Sequence, residues 1–184
     1  ALPGLPATYV ENPDEAETLE IRMLDQWRGL EAVLSYTIFR HFDAIARSVR
    51  FVNQGEAPLF LDRAMSLSVD FPDGDYESIQ LSGSWSRERS VITRQLQPGV
   101  TAVSSMRGNS SHQHNPFLAL KRRHTTEYTG DVYGFSLVYS GNFVAQAEMD
   151  NYNVLRVMLG INPFGFRWKL APGNAFITPE AIMV

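Results

Sequence analysis

Apolar and polar residues alternate along most of the chain, and this period of two is typical of strands with one buried face. The alternation is clearest at residues 18–23 and 30–38. The apolar positions that share one side are Leu19, Ile21 and Met23 in the first run and Leu30, Ala32, Leu34, Tyr36 and Ile38 in the second. The pattern predicts two strands whose apolar sides face a core.

The same alternation continues at residues 45–51 and 59–69, and we interpret each run as strand. Three runs rich in aromatic and β-branched residues follow at 131–141, 142–150 and 152–164. A Gly-Asn pair joins the first two of them, and such a pair favours a tight hairpin turn. These three runs predict a meander of neighbouring central strands.

Short stretches rich in Gly, Pro, Asn and Asp separate the runs, as turns between strands require. No long window keeps the apolar period of a helix, and the best helix candidate, residues 12–20, is short and acidic. Short strands at this regular spacing predict an all-β, antiparallel sandwich or barrel with few or no helices.

Composition narrows the possible function classes. The chain has 184 residues, the size of one ordinary domain, and its 44% of hydrophobic residues is enough for a core. Sixteen basic and twenty acidic residues are spread along it, without the basic stripe that nucleic-acid binding requires. There is no cysteine, which excludes disulfides and thiolate metal sites, and no apolar run long enough to span a bilayer. We expect neither nucleic acid nor a membrane as partner.

Both ends of the sequence have the character of cut ends. The start "ALPGLPATYVENP", residues 1–13, has no initiator Met and carries three prolines, as a linker or an excised piece would. The last residues, "ITPEAIMV", stop on an apolar run. We therefore expect a piece of a longer polypeptide. The lack of cysteine and of a signal-peptide pattern suits a cytoplasmic location.

The stretch "NSSHQHNPF", residues 109–117, places two of the four histidines two positions apart. In a strand, His112 and His114 would point to the same side and could bind one metal ion. No third ligand has a supporting pattern, and the Asn-Pro pair that follows indicates a turn. A neighbouring serine as nucleophile would lack the usual elbow motif. The favoured interpretation is a hydrogen-bonded loop.

Carboxylates cluster in "VDFPDGDYE", residues 69–77, where Asp70, Asp73, Asp75 and Glu77 lie close together. Such a cluster could bind calcium, because carboxylate oxygens are the ligands that this ion prefers. The interleaved Pro and Gly are also what a β-turn requires, and the spacing fits no EF-hand loop. We interpret the cluster as a turn.

A tryptophan with charged neighbours stands in "LSGSWSRERSV", residues 81–91. Trp85 follows a Gly-Ser pair that leaves it uncrowded, so its indole could serve as a flat apolar platform for a sugar ring. Regular strand alternation would place Arg87 and Arg89 on one face and Glu88 on the other. The competing interpretation is a core tryptophan with solvated arginines, which composition alone favours.

Four stretches together resemble the N-terminal domain of the α-galactosidases of glycoside hydrolase family 36. They are, in order, "GSWSRER", "RGNSSHQHNPFLAL", "VYGFSLVYSGNF" and "RVMLGINPFGFRWKLAPGNAFITPE". Two upstream words, "GLPATYVE" and "RSVRFVNQG", are similar to other parts of the same domain. The resemblance extends over essentially the whole chain.

The resemblance implies a β-supersandwich, similar to the galactose mutarotase-like sandwiches, that precedes a catalytic (β/α)₈ barrel. In that family the barrel carries both catalytic aspartates and hydrolyses terminal α-galactosides such as melibiose and raffinose with retention. Residues 1–184 are then a central part of the N-terminal domain, with the barrel outside the chain. No catalytic residue, metal ligand or cofactor is expected here.

The resemblance also implies roles and partners. Trp85 corresponds to a tryptophan at the rim of the galactose pocket, so we expect it to contact substrate. The expected partners are the protein's own barrel, galactosides and further copies in a homo-oligomer, a tetramer in the parent enzyme. The His112 and His114 loop is expected to be structural. Two alternatives stay open: a free-standing carbohydrate-binding module, and a metal-dependent β-barrel enzyme that uses both histidines.

Overall fold

The structure, a computed structural model, describes residues 8–184, so the first seven residues of the linker-like start lie outside it. In the described part the backbone forms fifteen strands and no helix. The strands are β1 Ala16–Asp25, β2 Leu30–Phe39, β3 Ile45–Asn53, β4 Leu59–Leu61, β5 Met65–Phe71, β6 Glu77–Ser84, β7 Arg87–Gln95, β8 Gly99–Ser104, β9 His114–Lys121, β10 Val132–Leu137, β11 Phe143–Met149, β12 Leu155–Ile161, β13 Trp168–Leu170, β14 Ala175–Ile177 and β15 Ala181–Met183.

The strands form two main antiparallel sheets. The large sheet has nine strands in the order β1-β2-β3-β15-β10-β9-β6-β7, with β14 also paired to β3. The small sheet has four strands in the order β5-β12-β11-β8, and β13 and β4 form a separate two-stranded pair. The predicted all-β antiparallel class is confirmed. The helix candidate at residues 12–20 instead ends in β1, which begins at Ala16.

The core lies between the two main sheets. Phe135 of β10 and Phe143 of β11 are fully buried, one from each sheet. Phe71 packs edge-on against Tyr76 and Tyr133, with ring centroids 5.5 and 5.1 Å apart. Such edge-to-face pairs add to the hydrophobic stabilisation from burial. This aromatic layer holds the two sheets together.

The predicted meander of residues 131–164 is only partly correct. β11 and β12 pair antiparallel as expected, from Phe143 opposite Ile161 to Met149 opposite Leu155. β10, however, pairs with β9 and β15 in the large sheet. The Gly-Asn segment after β10 therefore crosses from one sheet to the other. This segment is hydrogen-bonded to the loop before β9, because the backbone N–H of Ser110 donates to the carbonyl oxygen of Ser140.

The run at residues 59–69 is two strands of different sheets. β4 ends at Leu61 and pairs with β13, whereas β5 begins at Met65 and pairs with β12. The buried side chain of Asn53 fixes the β4 and β13 pair to β3. Its amide nitrogen donates to the carbonyl oxygens of Ala57 and Leu170, at 2.8 and 2.9 Å.

The apolar side of β1 differs from its prediction. Leu19, Ile21 and Met23 share one side as expected, but they are 59%, 41% and 51% exposed. The four-stranded sheet packs on β3, β10 and β9 of the large sheet, and β5 is its last strand on the side of β1. The apolar face of β1 therefore extends past the edge of the sandwich. Within residues 8–184 there is also no helix that could span a membrane.

Candidate functional site

Trp85 lies at the tip of the β6–β7 hairpin and is 82% exposed. Ser84 pairs with Arg87, so the turn between the strands consists of Trp85 and Ser86 alone. Ser86 has a φ of 62°, and its backbone N–H donates to the carboxylate of Glu88 at 2.8 Å. The core interpretation of Trp85 is therefore wrong, because the turn directs the indole into solvent. Its role as a substrate contact stays a prediction.

The hairpin contains a bulge that fixes how the tip is presented. The pairing register shifts between Ser82 and Ser84, and Arg89 has a φ of 56°. A side chain at Gly83 would collide with the carbonyl oxygen of Arg87, so only glycine allows the strands to approach this closely. The regular alternation of side chains between the two faces is interrupted at this bulge. The expectation that Arg87 and Arg89 share one face rested on that alternation and does not hold.

The base of the hairpin is joined to the histidine loop by hydrogen bonds between buried and half-buried polar groups. The oxygen of Ser82 lies 2.9 Å from Nδ1 of His114 and accepts a hydrogen bond from the amide of Gln80 at 3.0 Å. The backbone N–H of Gly83 donates to the carbonyl oxygen of Gln113 at 3.0 Å. His114 is thus hydrogen-bonded, and the loop contacts the base of the hairpin that carries Trp85.

His112 occupies a different local environment. Ser111 and His114 form an isolated bridge around a tight turn, and the N–H of Gln113 donates to the hydroxyl of Ser111 at 3.2 Å. His112 lies inside this turn, not in an extended strand, so the two imidazoles lose the i, i+2 geometry that a metal site would need. No cluster of three or more potential metal ligands occurs in residues 8–184.

The four clustered carboxylates each lie beside a basic side chain. The ion pairs are Asp70 with Arg156, Asp73 with Arg122, Asp75 with Arg123 and Glu77 with Lys121. Residues between β5 and β6 form a loop, in line with the turn interpretation. The carboxylates therefore link neighbouring strands across the rim of the sandwich.

The pair of Asp73 and Arg122 also covers the core. Arg122 donates to both oxygens of Asp73, and its guanidinium carbon lies 3.9 Å from the centre of the buried ring of Tyr76. The hydrogen bond from Arg122 holds the pKa of the Asp73 carboxyl below its usual range. A general acid in glycoside hydrolysis needs a raised pKa. Asp73 is thus suited to stabilising the fold through its ion pair, not to acid catalysis.

A substitution at His114 tests its structural role. We expect His114→Ala to lower the free energy of unfolding by about 1–3 kcal/mol, because the buried hydroxyl of Ser82 loses its hydrogen-bond partner. His114→Gln should lose clearly less, since an amide can replace the ring nitrogen. Urea denaturation of both variants measures the difference. Equal losses would show that the hydrogen bond to Ser82 contributes nothing, and His112→Ala, outside this network, serves as control.

Trp27 is the most exposed aromatic residue in residues 8–184, and it was not singled out in the sequence analysis. It is 97% exposed on the β1–β2 turn, at the opposite edge of the large sheet from Trp85. An open depression beside it is formed by residues 26–29, 54–57 and 59. The depression brings together no set of titratable side chains of the kind that catalysis uses. The sequence feature that indicated the exposure of Trp27 was its position within the turn "QWRG".

Comparisons with known proteins agree over the whole chain. The family model of the glycosyl hydrolase family 36 N-terminal domain matches residues 1–171. The chain is 55% identical to alpha-galactosidase AgaA of Geobacillus stearothermophilus over 183 residues, and 42% identical to alpha-galactosidase C of Emericella nidulans over 184. All of the chain is covered in both cases, but only 25% and 24% of the relatives.

Solved structures give the same result for the fold. The crystal structure of AgaA from Geobacillus stearothermophilus superposes with a TM-score of 0.98, covering 100% of this chain and 26% of that one. A variant of AgaA solved in complex with raffinose gives a TM-score of 0.99. The described sandwich therefore has its counterpart inside a chain roughly four times as long.

Proposed function

This chain belongs to the N-terminal domain family of glycoside hydrolase family 36, and we propose that it is the non-catalytic domain of a longer α-galactosidase. In this proposal Trp85 contacts the sugar at the rim of the galactose pocket. The observation that carries it is the exposure of Trp85, 82%, on a hairpin whose base is hydrogen-bonded to the histidine loop. The matched relatives bear the name alpha-galactosidase, and one of them was solved with raffinose.

The shape and chemistry of an indole support this role. A pyranose ring has apolar C–H faces, and a flat, solvent-exposed tryptophan can stack on such a face while its N–H donates a hydrogen bond. Arg87 and Glu88 lie two and three residues after Trp85 and offer donors and acceptors for hydroxyl groups. Terminal α-galactosides such as melibiose and raffinose are the proposed substrates of the complete enzyme.

The ion-paired carboxylates of the acidic cluster support a non-catalytic role. Retaining hydrolysis requires one carboxylate as nucleophile and a second with a raised pKa as acid and base. The clustered carboxylates at Asp70 and Asp73 have lowered pKa values instead, because Arg156 and Arg122 donate hydrogen bonds to them. The chain spans about a quarter of the length of its relatives. The proposal assigns catalysis to a (β/α)₈ barrel outside residues 1–184.

The proposal includes partners and a location. The domain would pack against its own barrel and support a homo-oligomer, a tetramer in the parent enzyme, in the cytoplasm. Two strands of the large sheet, β1 and β7, have a free edge in the described part, and free edges are suited to further association. Light scattering on the complete polypeptide measures the number of copies. A monomer at all concentrations would contradict the oligomer.

Hydrolysis assays test the proposal. The product of the complete gene should cleave raffinose and a nitrophenyl α-galactoside, whereas residues 1–184 should release no product above the buffer rate. Far-UV circular dichroism on the same sample of the short chain checks that it is folded. Saturable cleavage by the short chain, or no cleavage by the complete protein, would contradict the proposal.

The exposed indole also favours a second candidate, a free-standing carbohydrate-binding module. A module would bind galactose without a barrel, and the sugar would quench tryptophan fluorescence of the 184-residue chain in a saturable way. That quenching should then disappear in Trp85→Ala and persist in Trp27→Ala. We expect no saturable quenching of the short chain, because one stacking residue contributes too little to hold a sugar alone.

A further inference from the structure

The direction of the Trp85 indole depends on the backbone of a two-residue turn. The side chain is 82% exposed, so neighbouring side chains restrain it little. Trp85 and Ser86 alone join β6 to β7, because Ser84 pairs with Arg87. A change of backbone conformation at either turn residue would therefore move the whole ring.

The conformation of this turn is unfavourable by itself. Two-residue hairpin turns that match the twist of their strands have a positive φ at the first turn residue. Here the positive φ, 62°, is at the second residue, Ser86, whereas Trp85 has no positive φ. A serine in the left-handed region is strained, because its Cβ crowds the backbone. The turn thus needs support from outside its own two residues.

Glu88 supplies this support. Its carboxylate oxygen Oε1 accepts a hydrogen bond from the backbone N–H of Ser86 at 2.8 Å. A hydrogen bond to an ionised carboxylate is stronger than one between two neutral groups. The donor belongs to the strained residue itself, so the bond favours the observed turn over conformations in which this N–H points elsewhere.

The backbone of Glu88 is itself held in place by the bulge beneath the turn. Its Cα lies so close to Gly83 on the facing strand that an added Cβ at Gly83 would be 2.9 Å from it. Gly83 in turn donates its backbone N–H to the carbonyl oxygen of Gln113 at 3.0 Å. The carboxylate therefore extends towards Ser86 from an anchored part of the hairpin.

We propose that Glu88 is a positioning residue that holds the indole of Trp85 in the orientation that stacks on the sugar. This inference rests on the proposed function, in which Trp85 contacts an α-galactoside. Glu88 acts through the backbone of Ser86 and does not itself touch the sugar. Its hydrogen bond restricts the turn before substrate arrives, so the ring loses less freedom on binding.

Steady-state kinetics of the complete polypeptide with raffinose test this role. Glu88→Ala should raise KM roughly three- to tenfold with little change in kcat, because a less ordered ring binds substrate and transition state equally less well. Glu88→Gln should stay within about twofold of the parent, since its amide oxygen still accepts the hydrogen bond from Ser86.

The matched control is Glu127→Ala, which removes another exposed carboxylate and should leave KM unchanged. Glu127 lies in the loop between β9 and β10, which follows Lys121. Lys121 pairs with Glu77 at the start of β6, whereas the turn with Trp85 follows the end of β6. The control therefore lies at the opposite end of these strands from Trp85.

Two double variants separate positioning from direct contact with the sugar. Glycine adopts a positive φ without strain, so Ser86→Gly added to Glu88→Ala should reverse most of the rise in KM. In a Trp85→Ala background, Glu88→Ala should change KM by less than about twofold, because no ring remains to be positioned. A carboxylate that binds the sugar itself would give neither result.

The outcomes distinguish this inference from the proposed function. An unchanged KM in Glu88→Ala, together with a raised KM in Trp85→Ala, would overturn the inference and leave the proposed function standing. A rise in KM from Glu88→Ala that persists in both double variants would also overturn it, since Glu88 would then contact the sugar directly. An unchanged KM in Trp85→Ala would contradict both.

Discussion

Replacing Phe135 with alanine should lower the free energy of unfolding by about 3–5 kcal/mol, the largest stability effect that we expect in this chain. Phe135 is fully buried on β10 between β9 and β15, and its ring centre lies 6.3 Å from that of Phe71 in the small sheet. Alanine removes the ring that connects the two layers and leaves a cavity that the paired strands cannot close. A loss of this size approaches the whole stability of many domains.

Urea denaturation followed by circular dichroism measures this loss. Phe42→Ala is the matched control, because Phe42 undergoes the same change of side chain but is 71% exposed in the β2–β3 turn. The control should change the free energy of unfolding by no more than about 0.5 kcal/mol. Similar losses in both variants would contradict the position of the core between the two sheets.

Replacing Trp85 with alanine should lower kcat/KM of the complete polypeptide for raffinose by roughly 5- to 30-fold. This corresponds to about 1–2 kcal/mol for the loss of one stacking contact with a sugar ring. Stacking is similar in the bound substrate and in the transition state, so the change should appear mainly as a higher KM. The stability should change little, because the side chain is 82% exposed in the described domain.

Steady-state kinetics with three variants separates stacking from other effects. Trp85→Phe keeps an aromatic face and should lie between the parent and Trp85→Ala. Trp27→Ala removes an equally exposed indole at the other edge of the large sheet and should have parental kinetics. If Trp85→Ala matched Trp27→Ala, Trp85 would have no contact with the substrate.

Strand positions were predictable because they depend on local alternation. The runs at residues 18–23, 30–38 and 45–51 lie within β1, β2 and β3. Period two is a property of each strand by itself, so one sequence is enough to find it. The all-β class followed from the number and spacing of such runs.

Strand neighbours and face exposure were not predictable in the same way. β10 and β11 follow each other in sequence but belong to different sheets, since the core between the layers decides the pairing. Likewise, the alternation at Leu19 and Ile21 indicated an apolar face without indicating what covers it. Both properties depend on distant segments that a local pattern does not contain.

The exposure of Trp85 could be predicted from its local sequence, whereas the contacts that support its hairpin could not. The Gly-Ser pair before Trp85 indicated that the indole was uncrowded, and the tight turn confirms its exposure. The hydrogen bond between Ser82 and His114 at the base of the hairpin could not be predicted, because these residues are 32 positions apart. They meet only through the pairing of β6 with β9. The bulge at Gly83 was equally hidden, since its cause is the approach of a backbone on the facing strand.

The most direct test of the central claim is a crystal structure of the complete polypeptide with an α-galactoside that it binds but does not turn over. We expect the indole ring of Trp85 within van der Waals contact of the bound sugar, at about 3.5–4.0 Å between carbon atoms. The catalytic carboxylates should then lie on the other side of the sugar, outside residues 1–184. An indole that points into solvent, or that packs on protein away from the sugar, would contradict the account.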